Sequence, residues 1–499
     1  MTRPVAIAAI GSAAVFIRWP HMTESLWFDE VWRTNIVLGG GDLGRLFWHD
    51  VHNPLYNALM YAWTAVFGDS ELSVRMPSLI FGLAAIGILA RWMRPRFGAT
   101  PAVLAAVLLL LSPVHAWYSC EAKNNMMVML LAVALVIRAD TLARRWAWTD
   151  AAMVSVVGAL AVYTSWQSLL AVVPVFAYVI AAAGVGVGAG VADPAGQTPP
   201  RVRLITAATA ILGTLALCAP LLIFKASRLE ELERAYVATA TLGRMLRFLF
   251  VWLPTGNALV RIHDGWWALW AGIYGLVVLP ALWLGIRGLW SVRPGRLVVL
   301  CLAIPVVSLP AITHLSSLLG LEAPRVYQER NLLVVLPWFS AAVAVGACRA
   351  RVAAVGLIAL LVGLSLASSI AAVTWRSHVT TVMNPNPDWR AACRYMRARA
   401  EGSGLPAVVL SHCPLLPIRY HGEEMRSIEL PWSPDVAVQL ASHRDDFPGS
   451  EVFFINNPMW WGMGPGELAA FESGLDYLER RDFLSLNVYR LGPAATPGD

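Results

Sequence analysis

The stretch Arg75–Phe97, "RMPSLIFGLAAIGILARWMRPRF", decides the class of fold. Between Arg75 and Arg91 it holds no charged side chain. At about 1.5 Å of rise per residue, a helix of this length covers most of the hydrocarbon core of a bilayer. Arg91, Arg94 and Arg96 close the run, and a cluster of cations at one end of a span marks that end as cytoplasmic.

Runs of the same kind recur. They fall at roughly 4–19, 75–92, 99–115, 123–138, 149–164, 167–188, 204–224, 265–286, 297–313, 330–348 and 352–373, so about eleven spans are expected. The whole composition agrees: 57% of the 499 residues are hydrophobic and 14% charged, with a mean hydropathy of +0.58, which excludes an ordinary soluble domain. The first run follows Arg3 and lacks a small-residue cleavage site, so it reads as an uncleaved span rather than a signal peptide. "TLGRMLRFLFVWLPTG" (241–256) is broken by Arg244 and Arg247 and reads as an interfacial helix.

Further arginines at 138, 144, 145, 201, 203, 287, 293, 296, 349 and 351 occupy alternate loops poor in acids. The chain is therefore expected to be a multi-pass protein of the cytoplasmic membrane. The net charge of +6 is spent in those loops, where it meets anionic lipid, and no basic face for nucleic acid is expected. The loop 20–74 and everything beyond 374 then face outward. After Trp375 the pattern changes: "DWRAACRYMRARAEGSG" has helical spacing, and "AVVLSHC", "EVFFINN" and "FLSLNVYRLG" alternate as strands. The expected organisation is a transmembrane domain over 1–373 and an extracytoplasmic α/β domain over 374–499. Cys393 and Cys413 share that domain, so a bond between them is open; the six cysteines form no metal-ligand pattern.

The outward loop holds the chemistry. "SLWFDEVWR" (25–33) sets Asp29 and Glu30 beside Trp27, Phe28 and Trp32. Carboxylates at a membrane edge are costly to dehydrate, so they imply a partner charge or a task. Asp29 and Arg33 at i,i+4 would make a helical ion pair, the structural alternative. The aromatic residues suit an interface equally well.

The order of this acid pair, "HNPLY" (52–56), "GDSELSVRMPSLIFG" (68–82), "SPVHAWYSCEA" (112–122), "ERNLLVVLP" (329–337) and a terminal "DWRAA" resembles the GT-C class of integral-membrane glycosyltransferases. The likeness is to the dolichyl-phosphate-mannose protein mannosyltransferase-like and aminoarabinose transferase-like group. It implies a GT-C-like α-helical multispan fold and transfer of a sugar from a polyprenyl-phosphate donor, on the outer face, to a lipid, glycan or protein acceptor. It implies Asp29 as general base, by inverting single displacement, with Glu30 orienting or sharing that role; Glu121, a further catalytic candidate, is expected to hold Lys123 or Arg75 or to help ligate a divalent ion. A carboxylate among apolar rings, partly stripped of water, takes up a proton more readily than one in bulk solvent.

The leaving group is a lipid phosphate, which needs cations where charge develops. Arg330 matches the cation that relatives carry near the phosphate; Arg75, Lys123 and His52 are further candidates, and each also fits an interfacial role. Trp27, Tyr118 and Tyr327 are expected to line the sugar or acceptor. Relatives differ on metal dependence and no ligand spacing identifies one, so no metal and no other cofactor is predicted. The chain departs from its relatives at Cys120–Asn125, "CEAKNN", and at Tyr163–Gln167, "YTSWQ", which leaves sugar and acceptor open. A lipid-linked sugar or polysaccharide transporter, or a non-catalytic subunit that binds lipid-linked sugar, is the alternative; a transporter would show inverted halves with broken helices.

Overall fold

A computed structural model describes residues 3–38, 54–184, 198–226, 241–249, 253, 266–320, 329–350, 354–374, 387–411, 416–422, 425–430, 440, 442–444, 446–456, 472–473, 477–483 and 486–493. In chain order the helices are α1 (Arg3–Met22), α2 (Phe28–Leu38), α3 (Pro54–Phe67), α4 (Glu71–Phe97), α5 (Ala99–Leu110), α6 (Pro113–Ser119), α7 (Asn125–Arg145), α8 (Trp148–Thr164) and α9 (Leu169–Gly184). They continue as α10 (Pro200–Ala226), α11 (Leu242–Arg247), α12 (Trp266–Trp290), α13 (Arg293–Leu318), α14 (Leu336–Arg349), α15 (Ala354–Thr374), α16 (Trp389–Ser403) and α17 (Leu416–His421). The chain divides into two compact units. One comprises Met1–His21 and Gly40–Val373, the other Met22–Gly39 and Thr374–Asp499.

The first unit is a helical membrane body. Among the described residues each run read as a span carries a helix, and six helices are long and apolar enough to cross a bilayer, or seven if α5 and α6 count as one. The number eleven therefore remains an expectation. Three further apolar helical segments, Trp148–Thr164, Gly275–Trp290 and Gly356–Ala367, are shorter. Of the interfacial segment, α11 is helical, and residues 250–252 and 254–256 lie outside the described ones.

The run at 99–115 is not one straight span. It bends by 62° between α5 and α6. Pro113 disfavours helical backbone at Ser112 and has no N–H to give, and Ser112 caps the new helix by accepting from His115 N at 3.3 Å. The break frees the carbonyl of Leu110, which Arg18 of α1 satisfies through Nη2 at 2.9 Å. Arg18 also donates to Ser119 Oγ at 3.1 Å, Ala14 O at 3.1 Å and His115 Nδ1 at 3.0 Å. A cation belongs at a helix C-terminus, where unpaired carbonyls gather partial negative charge.

Close helix crossings depend on glycine. A Cβ on Gly285 of α12 would collide with Ala342 O of α14, and one on Gly346 of α14 with Ala281 O of α12. Small residues let two backbones approach where lipid offers no hydrophobic drive for association. At the arginine-rich end of α4, buried Asp140 of α7 accepts from Trp92 Nε1 at 2.9 Å and pairs with Arg96 at 2.6 Å and Arg144 at 2.9 Å.

The second unit is α/β. Its strands are β1 (Ala407–Ser411), β2 (Arg426–Glu429), β3 (Glu451–Asn456), β4 (Glu479–Phe483) and β5 (Leu486–Pro493). They form one sheet in the order β2-β1-β3-β5-β4. The β1 pairs with β2 and β3 are parallel, and those of β5 with β3 and β4 antiparallel. Both faces of β3 are buried, which suits its unbroken apolar run "VFFI". On one face Trp389, Cys393 and Met396 of α16 pack with Val409, Phe453, Ile455 and Val488. Cys393 is a buried free thiol, pushed up to about 12 by burial; Cys413 lies outside the described residues.

Candidate active site

The acid pair stands at the start of α2. Trp27 O accepts from Glu30 N at 3.0 Å and Val31 N at 2.9 Å, which makes Trp27 the capping residue. Tryptophan has no side-chain acceptor to return. Glu30 completes the cap instead: its Oε2 accepts from Trp27 N at 3.3 Å, the reach-back half of a capping box. Glu30 is 0% exposed, whereas Asp29, one residue earlier, keeps part of its surface in solvent, as do Trp27 and Phe28. Two adjacent acids thus have different surroundings.

The segment before α2 is stitched to the start of α16. Ser25 Oγ donates to Asp388 Oδ1 at 3.2 Å and accepts from Arg390 N at 3.2 Å, while Asp388 Oδ1 also accepts from Ala391 N at 3.0 Å. Arg390 Nη2 donates to Thr23 O at 3.0 Å. Leu26 and Val31 are fully buried, and α2 packs on α17.

The other predicted residues belong to the membrane unit, where hydrogen bonds gather four elements at one end. Tyr56 of α3 bonds Ser78 Oγ of α4 at 3.2 Å, and Ser78 Oγ donates to Lys123 O in the α6–α7 turn at 3.0 Å. Asn124 Nδ2 donates to Thr164 O at the end of α8 at 2.9 Å. Just beyond, Gln167 Nε2 donates to Asn331 Oδ1 at 2.8 Å. Asn331 lies on the 3-10 helix Glu329–Val335, which carries Arg330 and runs directly into α14.

Arg75 lies one turn before Ser78 and is 0% exposed. Glu121 and Lys123 are buried together as an ion pair of 3.4 Å, and Asn125 Nδ2 holds the second carboxylate oxygen at 3.1 Å. Tyr118 is buried on α6. The structure thus joins the elements of Arg75, Glu121, Lys123 and Arg330; Asp29, Glu30 and Trp27 belong to the second unit. His52 and Tyr327 lie outside the described residues, as does the side chain of Arg330. Among the described residues no three histidine, cysteine, aspartate or glutamate side chains stand where they could hold a metal.

Asn124 and Gln167 fall in the two stretches where the sequence departs from its relatives, but as links they, with Tyr56, Ser78 and Asn331, were not read from the sequence. A polar residue on an apolar run is visible in sequence, but its partner is not. Asp388 before Trp389 carried a readable helix-start signal; its bond to Ser25 did not.

The fold is similar to a solved one. The apo structure of ArnT from Cupriavidus metallidurans superposes with a TM-score of 0.57 at 12% identity, covering 98% of this chain and 98% of that one. The chain has the GT-C fold. A second ArnT structure, bound to undecaprenyl phosphate, gives the same TM-score of 0.57, identity of 12% and coverage of 98% on both sides. The Archaeoglobus fulgidus oligosaccharyltransferase aligns with a TM-score of 0.47 at 13% identity, over 95% of this chain and 71% of its own. Within the GT-C fold, residues 51–187 match the family described as "Dolichyl-phosphate-mannose-protein mannosyltransferase". That match covers α3 to α9 and so includes Arg75, Tyr118, Glu121 and Lys123. No curated protein sequence matches the chain.

Proposed function

We propose that the chain is a membrane glycosyltransferase that moves a sugar from a polyprenyl-phosphate donor to a lipid, glycan or protein acceptor, at the outer face of the cytoplasmic membrane. The observation that carries the reading is the division of labour between the two adjacent acids. Glu30 is buried as a helix cap, and Asp29 is left with solvent access in the first turn of α2. A buried cap cannot collect a proton from a substrate hydroxyl; a partly exposed neighbour can.

In the proposed reaction Asp29 accepts the proton of the acceptor hydroxyl as that oxygen attacks the anomeric carbon from the face opposite the phosphate. The bond from carbon to phosphate oxygen breaks, the centre inverts, and polyprenyl phosphate leaves. Arg330 and Arg75 answer the charge on the phosphate. Glu121 and Lys123 neutralise one another, so their part is to hold the α6–α7 turn in place. The ArnT structure that holds undecaprenyl phosphate supports the donor class, and the positive-inside pattern supports an outward second unit.

The test uses the full chain in membranes, radiolabelled polyprenyl-phosphate sugars and extracted envelope acceptors. Wild type is expected to transfer label and Asp29→Asn to lose it while still binding donor. Equal transfer by Asp29→Asn overturns the assignment of the base. Donor binding with no transfer by either protein overturns the enzyme reading in favour of a binding subunit or transporter.

A further inference from the structure

We propose that Ser25 and Asp388 are positioning residues for the base: their bond makes α2, with Asp29 in its first turn, a built-in helix of the α/β unit. The proposal rests on the glycosyltransferase reading for its chemistry and on contacts within one unit for its geometry.

A helix leaves its first four N–H groups without internal partners. At the start of α16 two of them are met by side chains. Asp388 meets Ala391 N from its own position, as a local cap should. Arg390 N is met by Ser25 Oγ, 365 residues away in sequence. The same hydroxyl hands its proton to Asp388 Oδ1, so one serine serves as donor and acceptor in a closed set of three bonds. Ser25 is 3% exposed, so the serine side of the set is shielded from water, while Asp388 keeps part of its surface in solvent. Arg390 adds a fourth bond, to Thr23 O.

Between this joint and the first turn of α2 stand only Leu26, which is fully buried, and Trp27, which caps the helix. Few backbone dihedrals remain free to move Asp29 relative to Asp388. The helix α2 also packs on α17, and α17 packs on α16. The acid helix is held at its start and along its flank by the same unit. A general base acts only within hydrogen-bond reach of its proton, and a misplacement of about 1 Å can cost about 10²-fold in rate.

The experiment compares full-length wild type, Ser25→Ala, Asp388→Ala and Asp388→Asn in lipid nanodiscs, by amide hydrogen exchange and by steady-state transfer. Ser25→Ala and Asp388→Ala are expected to raise exchange in 28–34 at least about tenfold, and to lower kcat about 10- to 100-fold with donor KM unchanged. Protection of β1 and β3 should stay at the wild-type level, which shows that the unit is folded. Asp388→Asn should restore both readouts, because an amide oxygen accepts both bonds. Unchanged exchange in 28–34, a loosened helix with wild-type kcat, or an Asn variant as impaired as Ala each overturns the proposal. A wild type that transfers no sugar overturns the glycosyltransferase reading and Asp29's role with it, while exchange in Ser25→Ala still decides whether the joint holds the helix.

Discussion

Glu30 Oε2 accepts the backbone N–H of Trp27 at 3.3 Å, closing the start of the helix on which Asp29 stands. The two carboxylates are therefore expected to separate on mutation. Asp29→Asn should lower transfer by about 10²–10⁴, the usual worth of a general base. Glu30→Gln keeps an acceptor in place and should retain most of the activity. Glu30→Ala should cost about 1 kcal/mol of local stability, read as faster amide exchange in α2.

Arg18 closes the break between α5 and α6 through Leu110 O, His115 and Ser119. Replacing it with Met keeps much of the bulk and removes the donors. The freed carbonyl then loses its donor, and a loss of about 1–3 kcal/mol is expected, measured as a lower unfolding midpoint in detergent.

Asp140 is the shared anion between Arg96 and Arg144. Asp140→Ala leaves two guanidinium groups facing one another beside Trp92. A cost of about 1–3 kcal/mol is expected: Arg96 is stranded mostly buried, while Arg144, nearly half exposed, turns to water. Asp140→Asn, which still accepts from Trp92 Nε1, should lose less; yield of folded protein and thermal midpoint distinguish the two.

The crossing of α12 and α14 admits no Cβ at Gly346. Gly346→Val should abolish the folded membrane unit, with size-exclusion profile as the readout, while Gly356→Ala in α15, where a Cβ meets open space, should be silent.

The second unit should lose stability in acid. A hydrogen bond from Arg399 holds the Glu479 carboxyl below its ordinary value. A carboxylate held down on folding stabilises at pH above its unfolded value, about 4.3, and that stabilisation is lost as pH falls through the lower folded value. Exchange protection of β4 is expected to decline below about pH 4.3, and Arg399→Gln should flatten the decline.

The membrane class, the helix carried by each apolar run among the described residues and strands β1, β3 and β5 of the second unit were legible in the sequence; β2 and β4 were not. Each legible feature rests on local information: a run of apolar side chains as long as a bilayer is thick, or an alternation of period two. The bend at Ser112–Pro113 was signalled by its proline, but the apolar run continues across it and hid the break.

What the tertiary structure decided is which groups meet. Nothing local in "SLWFDEVWR" says that its first residue would cap a helix that begins more than 360 positions later, or that Glu30 would be buried as a cap while Asp29 keeps part of its surface in solvent. A hydrogen bond needs two groups within about 3 Å and aligned, and the sequence gives each group's chemistry without its neighbour. Spans follow from composition along the chain; a site follows from the partners that folding assigns.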